Sequence, residues 1–226
     1  MTSEVLYVYL KSHPLFQYAT EQLIQEATSL MKVRTVYRSE SFGYGDGAFS
    51  KIYLLIKGKV KIAELNADSC ELIKDILTSP DMFGDLSMNG QFASDEYAEA
   101  LTANTVVCMI NSQDFKKLMA AYSSVAVAYA NMMNKKLRKV ESRHSDLVFY
   151  DAKARLIRFI RNWAISDGNK VGDKIILENY LTHTDIANVI ATSRQSVNVL
   201  LNELRDAGLL FYDRKRIELN DRILWN

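Results

Sequence analysis

LTHTDIANVIATSRQSVNVLLNELRDAGLL, Leu181 to Leu210, carries two apolar patterns in succession. Ile186, Val189 and Ile190 make the first; Val197, Leu200, Leu201 and Leu204 make the second. Steps of three and four residues bring side chains to one side of an α-helix, so two short helices joined by a tight turn are expected. Thr182, with Asp185 three residues on, has the spacing of an N-terminal capping box. Thr192 with Gln195, or Ser193 alone, can cap the second helix. Ala187 is small enough for a close helix crossing, and Gly208 can take the left-handed conformation that ends a helix. Ala191 stands in the turn. If that position needs a positive φ, a non-glycine residue costs roughly 1–2 kcal/mol there.

Two such helices form the pattern of a helix-turn-helix DNA reader. The second helix leaves Arg194, Gln195 and Asn198 on the face away from its apolar stripe. Arginine suits guanine, and glutamine or asparagine suits adenine; Val199, bordering the same face, can touch a thymine methyl. Thr182 and Ser193, at the two helix starts, are candidates for phosphate contact. The same pattern also serves an ordinary helical hairpin with a solvated polar face. The segment C-terminal to the second helix favours DNA: Leu209 to Tyr212 and Arg216 to Leu219 have the texture of short strands around an Asp213-Arg214-Lys215 tip. A basic hairpin after a recognition helix is a wing. Its Arg214, Lys215 and Arg216 would lie on phosphates and set register rather than read sequence.

The chain has 226 residues, enough for one large domain or two smaller ones, and 48% hydrophobic with 24% charged is ordinary for a globular protein. No apolar run reaches membrane-spanning length, and the start has no basic leader before an apolar core, so a cytoplasmic protein is expected. Cys70 and Cys108 are expected as buried free thiols. His13, His144 and His183 are scattered without ligand spacing, so no metal site is expected. Net charge is +1; residues 151–226 hold twelve Lys or Arg against ten Asp or Glu. That weak balance counts mildly against nucleic acid, because phosphate neutralisation carries much of the affinity. Arg194, Arg205, Arg214, Lys215 and Arg216 nonetheless sit in the two elements that would meet DNA.

Before the reader, residues 4–32 carry helical spacing broken at His13-Pro14, which predicts two or three short helices. Residues 33–110 alternate with period two: Ile52, Leu54 and Ile56 against Tyr53, Leu55 and Lys57, then Val60 and Ile62 beyond Gly58, which predicts a hairpin. Further strands are expected at Leu72-Ile73, Ile76-Leu77, Tyr97 to Leu101 and Thr105 to Ile110, with turns between them. Many short strands imply a sandwich or barrel. From about 113 to 149 the spacing is helical again, with Ala126, Tyr129, Met133, Leu137, Val140 and Leu147 on one side. That stripe suits a dimer seam, or a helix packed on its own barrel. Asp151 caps a further helix over Ala152 to Ile165.

Phe42-Gly43-Tyr44-Gly45-Asp46, followed by Ile52 to Ile62, resembles the opening of a cyclic-nucleotide-binding barrel, and Asp81-Met82-Phe83-Gly84-Asp85-Leu86 resembles the start of its phosphate-binding cassette. With the C-terminal reader this is similar, over nearly the whole chain, to the Crp/Fnr family of bacterial transcription regulators. The resemblance implies an α+β fold: an N-terminal double-stranded β-helix or jelly-roll barrel, a long central dimerisation helix and a C-terminal winged helix-turn-helix. It places an effector domain with the central helix in residues 1–150 and the DNA-binding domain in 151–226. It implies a homodimer, double-stranded DNA on a near-palindromic site and RNA polymerase as partners, and a shift of the central helices as the mode of regulation.

The effector is where the chain departs from its look-alikes. Cyclic-AMP-binding members carry an Arg-Ser pair in the cassette; here those positions read Asp95-Glu96, with Glu99 nearby. A carboxylate about 4 Å from a phosphate costs on the order of 4 kcal/mol at an effective dielectric of 20. That is roughly a thousandfold in affinity. Val140 and Glu141 replace the polar pair that meets the base. No cyclic-AMP response is therefore expected, and Phe83, Gly84, Asp85 and Leu86 would keep a structural role. The N-terminal cysteines of oxygen sensors are missing; no haem ligand is obvious, with His13 and His144 left open for that role. No cofactor is expected; an unknown small molecule, or none, remains open. The main alternative function is a ligand-binding or protein-contact module whose helix-turn-helix no longer reads DNA. Catalysis finds no Ser-His-Asp order, metal cluster or phosphate loop.

Overall fold

The computed structural model describes residues 3–42, 45–46, 49–67, 71–88 and 96–220. Asp95, Cys70 and, from the quoted barrel motif, Gly43 and Tyr44 lie outside the described residues. The chain divides into two compact units, Met1–Arg138 and Lys139–Asn226.

The first unit opens with α1 (Ser3–Ser12), a 3-10 turn (Pro14–Phe16) and α2 (Glu21–Leu30). The strands come next: β1 (Lys32–Val36), β2 (Ser41–Phe42), β3 (Gly45–Asp46), β4 (Phe49–Lys57), β5 (Lys59–Leu65), β6 (Glu71–Thr78), β7 (Asp81–Gly84), β8 (Glu96–Ala100) and β9 (Thr105–Asn111). Then come α3 (Ser112–Ala121) and α4 (Ser123–Phe149), which runs across the division between the units. One antiparallel sheet has the order β1-β9-β4-β3 with β7 also on β4; the other has the order β2-β8-β5-β6. β4 explains the unbroken apolar run Ile52 to Ile56, because both its faces are covered. Ile52 and Leu54 join Leu10, Phe16, Ile24 and Phe115 in the core between sheet and helices. Tyr53 and Leu55 join Val60, Ile62, Leu77 and Phe83 in the core between the two sheets.

Three expectations change. The segment around Gly58 is no hairpin: β4 pairs with β3, β7 and β9, whereas β5 pairs with β6 and β8. Gly58 turns the chain from one sheet to the other at φ 93°, and a Cβ there would lie 2.6 Å from Thr105 Oγ1. The two short runs at Leu72-Ile73 and Ile76-Leu77 are one strand, β6, with a bulge opposite Ile62 and Ala63 that breaks its alternation. The helical run from 113 is two helices. Tyr122 breaks it in extended backbone, φ −129° and ψ 97°, before Ser123 and Ser124, residues that favour helix starts over interiors.

The N-terminal break stands as expected, and it buries a histidine. His13 caps the 3-10 turn, accepting the Leu15 N–H at Nδ1 (3.2 Å), so Nε2 carries the proton and donates to the Asp81 carbonyl (3.1 Å). Burial holds its pKa below 6.5, against the smaller opposing effect of the Asp81 carbonyl and carboxylate. Cys108 is buried in β9, and burial pushes its thiol up to about 12.

The second unit holds the end of α4, then α5 (Ala152–Asp167), β10 (Asn169–Val171), β11 (Lys174–Glu178), α6 (His183–Val189), α7 (Arg194–Asp206), β12 (Leu210–Tyr212) and β13 (Arg216–Asn220). Asp151 caps α5 by accepting the Ala154 N–H at 2.8 Å. The wing strands are β12 and β13, and two strands beyond those expected, β10 and β11, extend their sheet in the order β10-β11-β13-β12. Thr182 and Asp185 make a full capping box on α6, and Ser193 alone caps α7. Gly208 is left-handed at φ 68°, and Ala191 in the turn has φ 53°.

The buried histidine and the left-handed alanine both have measurable consequences. Because the folded His13 resists protonation, its contribution to stability is complete above about pH 6.5 and falls as pH drops through that value toward the folded pKa. Denaturant midpoints should therefore decline as pH falls below about 6.5, and decline less in His13→Asn. Ala191→Gly relieves a left-handed alanine; after the extra unfolded-chain entropy of glycine, it should raise unfolding free energy by about 0.5–1 kcal/mol in urea titrations. Destabilisation would contradict the strain.

Candidate nucleic-acid interface

α7 separates its two faces cleanly. Val197, Leu201 and Leu204 are buried, while Arg194, Gln195 and Asn198 are exposed, and Val199 is 51% exposed beside them. Four side chains that can address base edges thus stand on one open helix face. The Thr182 hydroxyl is occupied by its cap, giving to Asp185 Oδ2 at 2.6 Å and accepting the Asp185 N–H at 3.1 Å. Ser193 Oγ accepts the Ser196 N–H at 3.0 Å and remains on an exposed residue.

The wing tip is shaped by its own aspartate. Asp213 Oδ1 accepts the N–H groups of Lys215 (2.7 Å) and Arg216 (2.9 Å), and these bonds hold its carboxyl below the usual range. Arg214 and Lys215 project into solvent. Arg216, expected to act with them, is also exposed but is paired: its guanidinium lies 3.0 Å from Glu218 and 3.8 Å from Asp213. His183 and Tyr212 join this surface unforeseen. The His183 ring packs against Tyr212, centroids 5.5 Å apart, and partial burial together with the nearby Arg194 charge keeps its pKa below 6.5. A lone histidine at a helix start gives no spacing signal by which sequence could select it.

In the barrel, the residues expected in the cassette are packed or paired. Phe83 stacks on Tyr53 with centroids 5.0 Å apart and planes 8° off parallel, and Phe42 closes on both rings at 5.3 and 5.7 Å. Gly84 has φ 101°, and a Cβ on it would meet the Lys51 carbonyl at 2.4 Å. Asp85 is buried; its N–H bonds the Lys51 carbonyl at 2.9 Å and its carboxylate accepts from Ser87 at 2.7 Å. Leu86 offers its carbonyl to the Tyr129 hydroxyl. Glu96 pairs with Lys74 at 2.5 Å, and Glu64 takes the same ammonium at 2.7 Å. Glu99 shares the buried Lys61 with Glu71, at 3.2 and 2.7 Å. Asp95 lies outside the described residues, and Val140 and Glu141 are exposed on α4.

α4 divides its apolar residues. Val125 and Met132 are buried against the first unit's core, with Tyr129 and Met133 packed beside them. Tyr129, expected in the seam, turns to its own unit because its hydroxyl finds the Leu86 carbonyl and its ring meets Phe115. Leu137 (57%), Val140 (60%) and Leu147 (51%) are exposed, and Ala126 is half-buried. Both ring nitrogens of His13 are hydrogen-bonded, and His144 is exposed. Among the described residues no group of three His, Cys, Asp or Glu could hold a metal ion, and no helix is long and apolar enough to cross a membrane.

Comparison with known proteins agrees with this layout. Residues 37–122 match the cyclic nucleotide-binding domain family, and residues 154–223 match the Crp-like helix-turn-helix domain family. The anaerobic regulatory protein of Bacillus subtilis is 26% identical over 163 residues, 72% of this chain and 68% of that protein. A CRP-like cAMP-activated global transcriptional regulator of Mycobacterium tuberculosis is 25% identical over 171 residues, 76% of each chain. A CooA mutant from Carboxydothermus hydrogenoformans shares the fold with a TM-score of 0.73 at 21% identity, covering 93% of this chain and 92% of that one. With both domain families matched in this order on a shared fold, the chain belongs to the Crp/Fnr family of transcription regulators.

Proposed function

We propose that the chain acts as a homodimer that reads a near-palindromic DNA site without responding to cyclic AMP. The observation that carries the reading is the exposure of Arg194, Gln195, Asn198 and Val199 together on the face of α7 opposite its buried stripe. Arg194, Gln195 and Asn198 address base edges; Arg214 and Lys215 hold phosphates, with Ser193 and Thr182 beside the helix starts and Arg216 in a lesser part because Glu218 shares its charge.

The dimer is supported by α4. Ala126, Met133, Val140 and Leu147 fall seven residues apart, with Leu137 between them, the repeat of a coiled-coil seam. Exposed leucine and valine on one helix face gain by burial against a second copy, at roughly 25 cal/mol per Å² of apolar surface. Two recognition helices would then enter successive major grooves about 34–36 Å apart. Contact with RNA polymerase belongs to the same reading, through the family.

The absence of a cyclic-AMP response rests on the barrel. Aromatic rings pack the space between its sheets, and Glu96 meets Lys74 where the look-alike cassette would present its arginine-serine pair to a phosphate. A small molecule of other chemistry, or none, is the remaining choice for effector.

Selection from random duplexes should yield a two-fold-symmetric site. On it, Arg194→Ala should cost about 1–3 kcal/mol and relax preference at one base pair per half-site. An equal loss on every sequence would overturn the base-reading role.

A further inference from the structure

Arg155 on α5 donates from all three of its guanidinium nitrogens to carbonyls in two separate segments. Nη1 donates to the Tyr150 carbonyl at 2.6 Å, in the link between α4 and α5. Nε donates to the Ile190 carbonyl at 2.8 Å and Nη2 to the Ala191 carbonyl at 3.1 Å, both in the turn between α6 and α7. Three residues on, Arg158 grips the same end of α4. Its Nε lies 2.8 Å from Asp146 Oδ1, and its guanidinium sits 4.7 Å from the centre of the Tyr150 ring. The Tyr150 N–H bonds back to the Asp146 carbonyl at 3.2 Å, so both arginines hold one continuous piece of chain.

The choice of arginine is chemical. A planar fork with five donors can satisfy carbonyls lying in different directions, whereas an ammonium on a flexible stem offers a single point. The turn it holds is the strained one, with Ala191 at φ 53°, and α7 begins three residues later.

We propose that Arg155, supported by Arg158, is the positioning residue that fixes the angle between the end of α4 and the recognition helix, and so sets the half-site spacing this protein accepts. The inference rests on the dimeric reading above. If α4 of each copy lies in the seam, any slack at Tyr150 is slack in the distance and twist between the two α7 helices. Losing the fork frees that angle while the reading face of α7 stays intact.

The test uses the 226-residue chain as wild type, Arg155→Ala and Arg155→Lys on three duplexes: the selected full site, the same site with one base pair inserted at its centre, and a single half-site. The insertion turns one half-site by about 34° relative to the other, so the wild type should bind it at least about tenfold more weakly than the full site. Arg155→Ala should shrink that ratio to below about twofold, with half-site affinity within about twofold of wild type. Arg155→Lys should behave like alanine, and decides the matter if alanine fails to fold. Undiminished spacing discrimination in the folded variants overturns the proposal, as does a loss of half-site affinity equal to the loss on the full site. A wild type that binds full and half-sites alike overturns the dimeric reading instead.

Discussion

Burial of Val197, Leu201 and Leu204 is the interaction on which the reading head depends. Each fully buried valine or leucine contributes roughly 1.5–3 kcal/mol, so the three together hold α7 to one rotation about its axis. That rotation is what leaves Arg194, Gln195 and Asn198 outward, since a helix cannot hide one stripe without presenting the other. The caps at Thr182 and Ser193 then fix where α6 and α7 begin, and the turn between them is short enough to force Ala191 into the left-handed region. A residue other than glycine is tolerated there because Arg155 and the flanking helices over-determine the backbone.

The barrel is held differently, by close backbone approaches, paired charges and stacked rings. Gly84 approaches the Lys51 carbonyl more closely than any side chain would allow, and Gly58 turns the chain between sheets. Lys61 and Lys74 each lie between two carboxylates, Glu71 with Glu99 and Glu64 with Glu96. Those carboxylates serve the sheet's own lysines, and the aromatic trio of Phe42, Tyr53 and Phe83 packs between the sheets. Local hydrogen bonding ties this region to α4 through Tyr129 and Leu86.

The parts legible in the sequence were those governed by local physics. Helix periodicity, capping pairs and Gly208 placed α6 and α7, and Asp151 placed the start of α5. What local pattern leaves undecided depends on partners far along the chain. Alternation on either side of Gly58 is the same whether two strands pair with each other or part to opposite sheets; only their pairing with β9 and β8 decides it. β10 is three residues with all side chains exposed, so it has no buried face to betray it. The stripe on α4 mixed two destinations: Tyr129 has helical spacing with the exposed residues but a hydroxyl that the cassette carbonyl claims. Arg155 carried no signal at all, because its partners are backbone carbonyls that any sequence supplies.

Hydroxyl-radical footprinting on the selected site tests the central claim most directly. Two readers held at a fixed angle predict two protected stretches of backbone on one face of the duplex, centred about 10–10.5 base pairs apart, with the protein absent from duplexes of scrambled sequence at the same salt. A single unbroken footprint, or equal protection of scrambled DNA, would contradict the account.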